Sequence, residues 1–180
     1  KKMYGKSVMP YQPDGIWRSP YNGDKWMMSK GEDQNRRALY TYWKRTAPYP
    51  SMLTFDGGAR EVCVTQRIRT NTPLQALTTL NDSTYFVMAQ SFAFQMQLLE
   101  FNDVKKQIQK GYESMLFKPI SDNRLNALVE LYSKSMITFA KDKKAAHEIV
   151  GEGRTATPET AALVVVANAM LNLDEWVNKN

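Results

Sequence analysis

From residue 72 onward, helix start signals recur ahead of apolar positions spaced three and four apart, and this restricts the second part of the chain to packed helices. In Thr72-Pro73-Leu74-Gln75 the threonine can cap, proline suits the first helical position and glutamine can reach back to the cap amide. Leu74, Leu77, Thr78 and Leu80 give this helix its apolar side, and Asn81 stops it before Asp82 or Ser83 caps a second, through Phe86, Met88, Phe92 and Met96. Residues 102–116 read as a third helix with Val104, Ile108, Tyr112 and Met115 on one stripe. Pro119 ends it, and Ser121 or Asp122 caps a fourth whose Leu125, Leu128, Val129, Tyr132 and Met136 form a broad apolar face. Residues 141–150 fit a short helix ending at Gly151 or Gly153. Thr157-Pro158-Glu159 then starts a last helix through Leu163, Val164, Val166, Ala167, Met170 and Leu171 towards Trp176. It is apolar nearly all round, which predicts the most buried helix. Methionines and aromatics at this spacing are read as core rather than as a haem box.

Residues 1–35 carry Pro10, Pro13, Pro20, Gly5, Gly15, Gly23 and Gly31, too dense a punctuation for regular elements. They read as an extended arm that must lie on some surface, anchored by Tyr4, Tyr11, Trp17, Tyr21 and Trp26. That surface belongs either to this chain or to another. Residues 36–71 form a basic, aromatic stretch. Alternation of Leu39, Thr41 and Trp43 against Tyr40 and Tyr42 favours a short strand over a helix, and Pro48 and Pro50 stop it. Residues 51–58 then return as a second strand into a Gly57-Gly58 turn, a short β-hairpin. The expectation is one mainly α domain over 1–180: an irregular aromatic-rich N-terminal arm, this hairpin, and a packed bundle of about five or six helices over 72–180.

Composition closes off several classes. With 43% hydrophobic and 23% charged residues the chain can build a core. Its mean hydropathy of −0.50 goes with no apolar run near the roughly 20 residues that cross a bilayer. One cysteine leaves no internal disulfide, and one histidine leaves no zinc or haem site needing two such ligands from this chain. His147 lies on a short polar helix with no second ligand at helical spacing. The net charge of +6 is concentrated: residues 1–70 hold 13 Lys/Arg against 6 Asp/Glu, and residues 1–55 hold 10 of the 20 aromatics. Such a surface can take a glycan or a polyanion; no nucleic-acid motif accompanies it. Lys1 opens the chain without an initiator methionine, so it is either processed or a piece of something longer.

One ordered set of strings carries a family likeness. It comprises Arg36-Arg37-Ala-Leu-Tyr-Thr-Tyr-Trp-Lys-Arg-Thr46, Pro48-Tyr-Pro-Ser-Met52, Phe55-Asp56, Arg60-Glu61-Val-Cys63 and Arg69-Thr-Asn-Thr-Pro-Leu-Gln-Ala-Leu77, followed by Leu80-Asn81-Asp82. With the flanks Ser7-Val-Met-Pro10-Tyr-Gln-Pro13-Asp-Gly-Ile-Trp17 and Leu171-Asn-Leu-Asp-Glu175, the chain resembles the uncharacterised C-terminal domain of planctomycete-type surface cytochrome c proteins. It departs from that pattern at Gln34-Asn35, at Tyr49 and at Gly57-Gly58, and residues 100–150 match only in pattern. The resemblance implies a C-terminal module of a longer exported polypeptide, periplasmic or at the cell surface. It implies a c-type haem on another part of that polypeptide and none here, since Cys63 is followed by Val-Thr-Gln and no Cys-x-x-Cys-His is present. A lone thiol suits that compartment if buried. The implied partners are other domains of the same polypeptide or a surface protein complex.

The candidate network is Arg36, Arg37, Tyr40, Trp43, Lys44, Arg45, Asp56, Arg60, Glu61, Arg67, Arg69 and Asn71. Asp56 and Glu61 can act as a carboxylate pair, one of them protonated, in a carbohydrate-active or other hydrolytic site bordered by Tyr40 and Trp43. Alternatively the arginines hold these carboxylates and backbone carbonyls and pin a loop-rich region, which is the favoured reading. Asn71 is expected to satisfy loop backbone groups beside the Thr72 cap. Asn172, Asp174 and Glu175 are expected to pair with the basic first part. The function these readings favour is a non-enzymatic scaffold or interaction module.

Overall fold

The computed structural model describes residues 3–13, 15, 25–44, 47–58, 63, 65–66 and 70–177. The chain forms two compact units, Lys1–Thr70 and Asn71–Asn180. In the first, the described parts of the arm lie on the stretch that follows them. Val8 donates to the Tyr40 carbonyl (2.8 Å) and Tyr42 to the Val8 carbonyl (2.7 Å), making an isolated parallel bridge between Val8 and Thr41. Trp26 donates its indole N–H to the Pro10 carbonyl (2.8 Å) and stacks on Tyr49, whose hydroxyl donates to the Tyr11 carbonyl (2.8 Å). Aromatic side chains with polar tips thus fasten a segment that has little regular structure to do so.

The expected hairpin is absent from the described residues. Ala38–Tyr40 is a single 3-10 turn, and in place of the returning strand stands a short helix, α1 (Pro50–Thr54). The physical reason is Pro50: at the first helical position its fixed φ favours a helix and its missing N–H costs nothing. The Gly57-Gly58 pair does not turn a hairpin either. Asp56 takes a left-handed φ of 57° and Gly57 N–H donates to the Met52 carbonyl (2.5 Å), a Schellman closure of α1. A Cβ on residue 57 would lie 2.6 Å from that carbonyl oxygen, so only glycine fits.

The second unit contains α2 (Pro73–Asn81), α3 (Ser83–Leu99), α4 (Val104–Leu116), α5 (Asp122–Lys141), α6 (Lys143–Val150), α7 (Pro158–Leu171) and α8 (Asp174–Val177). The mainly α reading holds, and six of these helices have eight residues or more. The caps are largely those expected: the Thr72–Gln75 capping box starts α2, Asp82 caps α3 and Thr157 caps α7. Ser121, by contrast, precedes α5 without a side-chain cap bond. Helix α7 packs between α3 and α5 and buries nine of its 14 residues. A helix contacted on so many sides can be apolar all round. Each fully buried Leu, Val or Met there contributes about 1.5–3 kcal/mol. The α4 helix lies against α3 and α5, with Ile108 and Tyr112 buried.

Candidate functional site

In the first unit Arg36 is the organising cation. Its guanidinium donates to the Lys6 carbonyl (3.1 Å) and to the Tyr4 carbonyl, and lies 3.7 Å over the Tyr40 ring. The Tyr40 hydroxyl in turn accepts the Tyr4 backbone N–H (3.1 Å), so one Arg–Tyr pair clamps a turn in which Tyr4 itself adopts φ 61°. Arg37 is exposed and donates to the Met3 sulfur (2.6 Å). Trp43 and Lys44 are half-buried farther along.

Asp56 is also engaged. Its carboxylate accepts the Thr70 backbone N–H (2.7 Å) and the Thr70 hydroxyl (2.9 and 3.0 Å to the two oxygens). With the αL backbone of the α1 cap fixing its position, Asp56 ties the α1 terminus to the end of the unit. This geometry suits a loop pin better than a proton donor facing a cleft. Arg45, Arg60, Glu61, Arg67 and Arg69 lie outside the described residues, and with Glu61 so does the expected carboxylate pair. Cys63 is exposed rather than buried, and His147 is exposed in the last turn of α6.

Asn71 begins the second unit, and its side chain does not turn to the loop backbone. Its amide donates to the Asp174 carboxylate (2.7 Å). The terminal polar residues have partners within their own unit among the described residues. Asn172 accepts the Thr79 hydroxyl (2.5 Å). Glu175 accepts from Arg124 and from the Tyr112 hydroxyl (both 2.7 Å) and pairs with Lys118 (3.3 Å). These bonds hold the Glu175 pKa far below the ordinary carboxylate value, at about 2, the Tyr112 hydroxyl contributing first and Arg124 next. Because the partners stand 51 to 63 residues away, no local pattern announces them.

The largest departure is α2. Its leucines were read as the core side, yet Leu74, Leu77 and Leu80 are 63, 58 and 39% exposed while Gln75 and Thr79 are buried. The buried face is polar and fully used. Gln75 closes the capping box with the Thr72 N–H (3.0 Å), and the Thr79 hydroxyl reaches the Gln75 and Ala76 carbonyls as well as Asn172. On the neighbouring face, Asn168 of α7 donates to the Leu80 carbonyl (3.3 Å). The helix is therefore held to α7 by hydrogen bonds and presents its apolar side outward. Among the described residues no helix is long and apolar enough to cross a membrane, so this face is not part of a helical span.

Neither the curated proteins nor the solved structures hold a match to the chain. A family model described as "PSD1: Protein of unknown function (DUF1553)" matches residues 1–132. With that match covering 132 of its 180 residues, from the arm through the Arg36 clamp and the Thr72 cap to the middle of α5, the chain belongs to the DUF1553 family.

Proposed function

We propose that this chain is a non-enzymatic docking module of a longer exported polypeptide, and that the leucine face of α2 seats a helical segment of a neighbouring domain in that polypeptide. The observation that carries the reading is the polarity of α2, with Gln75 and Thr79 inside and Leu74 and Leu77 outside. A helix folded for itself buries its leucines; one fastened by its polar side keeps them for a partner. The engagement of Arg36 and Asp56 in loop bonds adds to it, since both serve to hold shape. The resemblance to the planctomycete-type surface proteins supports reading that polypeptide as periplasmic or at the cell surface, with a c-type haem on another of its domains.

The test is hydroxyl-radical footprinting of the 180-residue chain and of the full-length polypeptide purified from its source. Leu74 and Leu77 should label several-fold less in the full-length protein, while Leu98 and Phe117, exposed elsewhere, should label equally in both. Equal labelling of Leu74 and Leu77 in both samples would overturn the docking role. The visible spectrum and intact mass of the same full-length sample check the haem-bearing setting separately.

A further inference from the structure

In the second unit, the C-terminal half of α3, the α3–α4 connection, the first turns of α4 and α7 and the middle of α5 border an open cavity of about 520 Å³. That lies within the range of small-molecule sites, roughly 300–1,000 Å³. Its apolar walls are Phe94, Leu98, Phe101 and Val104 with the ring of Tyr132. Leu98 and Phe101 are 69 and 77% exposed, so the helices leave this wall open to an occupant.

The polar lining is richer in acceptors than in donors: Asn102 and the Tyr132 hydroxyl can donate, while Gln97, Gln107 and Glu159 supply acceptors. Gln97 uses its amide nitrogen on the Thr160 hydroxyl (3.0 Å) and Gln107 uses its own on the Glu100 carbonyl (2.7 Å). Anchored by their nitrogens, both amides keep their oxygens as acceptors. Glu159 forms no ion pair among the described residues, and no lysine or arginine lines the cavity. Tyr132 makes no hydrogen bond to the described residues, and burial, followed by the nearby charge of Glu159, pushes its pKa up, so it stays a neutral phenol. At the edge of the site Arg154 already rests 4.2 Å over the Phe94 ring, the kind of contact that an aromatic wall offers a cation.

We infer that this cavity binds an organic cation, an ammonium group carried on an aryl or branched apolar body, with the charge beside Glu159 and the Gln97 and Gln107 oxygens and the body on Phe94, Leu98 and Phe101. An anionic ligand would be repelled by the Glu159 carboxylate, the charged group in the lining. A neutral polyol would face an excess of acceptors over donors.

The experiment is an amide NMR titration of the chain with three probes of similar skeleton: phenethylammonium, 2-phenylethanol and 3-phenylpropionate. The cation should shift amides of residues 94–107 and 159, bind about tenfold more tightly than the alcohol, and leave the anion weakest. E159Q, at an exposed position, should weaken the cation about fivefold while leaving the alcohol unchanged. L98W, which places an indole at the open wall, should weaken both. Absence of shifts with 10 mM cation, equal affinity for cation and anion, or an E159Q variant that binds the cation as the wild type does would each overturn the assignment. Circular dichroism of both variants separates loss of binding from loss of fold.

Discussion

Gly111 lies within α4, where alanine ordinarily stabilises a helix by about 1 kcal/mol over glycine. The structure reverses that sign. A Cβ on residue 111 would fall inside contact distance of the Met96 sulfur, 2.6 Å from its Cγ and 3.6 Å from Phe92 Cζ. Met96 is fully buried on α3, so its thioether has no solvent to swing into and must find another rotamer within a filled core. Overpacking of this kind costs about 1–3 kcal/mol. Taking about 2 kcal/mol for so deep an overlap and subtracting the helix gain, G111A should lose about 1 kcal/mol, or about 3–4 °C in Tm. Urea and thermal melts followed by circular dichroism measure it. The decisive arm is the same substitution in an M96A background, where the obstructing atoms are gone and alanine at 111 should stabilise by about 1 kcal/mol relative to M96A alone. Stabilisation by G111A in the wild type, or an identical effect in both backgrounds, would refute the close-approach argument.

Two further outcomes follow from the polar contacts of the second unit. Glu175 titrates at about 2 when folded and near its ordinary 4.5 when unfolded, so its network contributes fully above about pH 5 and is lost as the pH falls towards 2. Its side chain is 32% exposed and therefore partly screened; E175Q should cost about 1 kcal/mol at pH 7, and urea melts should show that gap narrowing between pH 5 and pH 2. T79V keeps the shape of a fully buried residue but leaves the Asn172 oxygen without its donor, and it should cost about 1–2 kcal/mol in urea melts. A neutral or stabilising T79V would mean that the polar seam of α2 is incidental.

Much of the helical part was legible because its information is local. Thr72, Asp82 and Thr157 cap where a hydroxyl or carboxylate precedes a helical run, and the apolar run of α7 has no exposed face to interrupt it. The orientation of α2 was not legible. Periodicity marks the leucine side of the helix but not which side meets the core, and that is decided by Asn172, 93 residues beyond Thr79, and by Asn168, 88 residues beyond Leu80. The misread strand at 51–58 has a local cause, since proline at the first position of α1 and glycine under the Met52 carbonyl signal a short capped helix as well as they signal a turn. Of the candidate residues, Arg36 and Asp56 bond to Tyr4, Lys6 and Thr70, partners that stand 14 to 32 residues away and that no local spacing announces. The cavity partners Gln97, Tyr132 and Glu159 were not legible either, because they come from three helices and share no spacing.

The size of the α2 face argues for the kind of partner it takes. Covering the exposed parts of Leu74, Leu77 and Leu80 removes about one and a half leucine side chains from water, worth on the order of 3 kcal/mol. A free protein meeting this face would spend all of that and more on lost translation and rotation. A domain tethered in the same polypeptide has already given up most of that freedom, so the same 3 kcal/mol sets an upper bound of roughly a hundredfold on the bias towards the docked arrangement. Such a bias is reversible and is abolished by one charge at the centre of the face. In the full-length protein L77K should therefore restore the radical labelling of Leu74 to the level of the 180-residue chain while leaving the melt of that chain unchanged, because residue 77 is exposed in it and its polar anchors Gln75 and Thr79 are untouched.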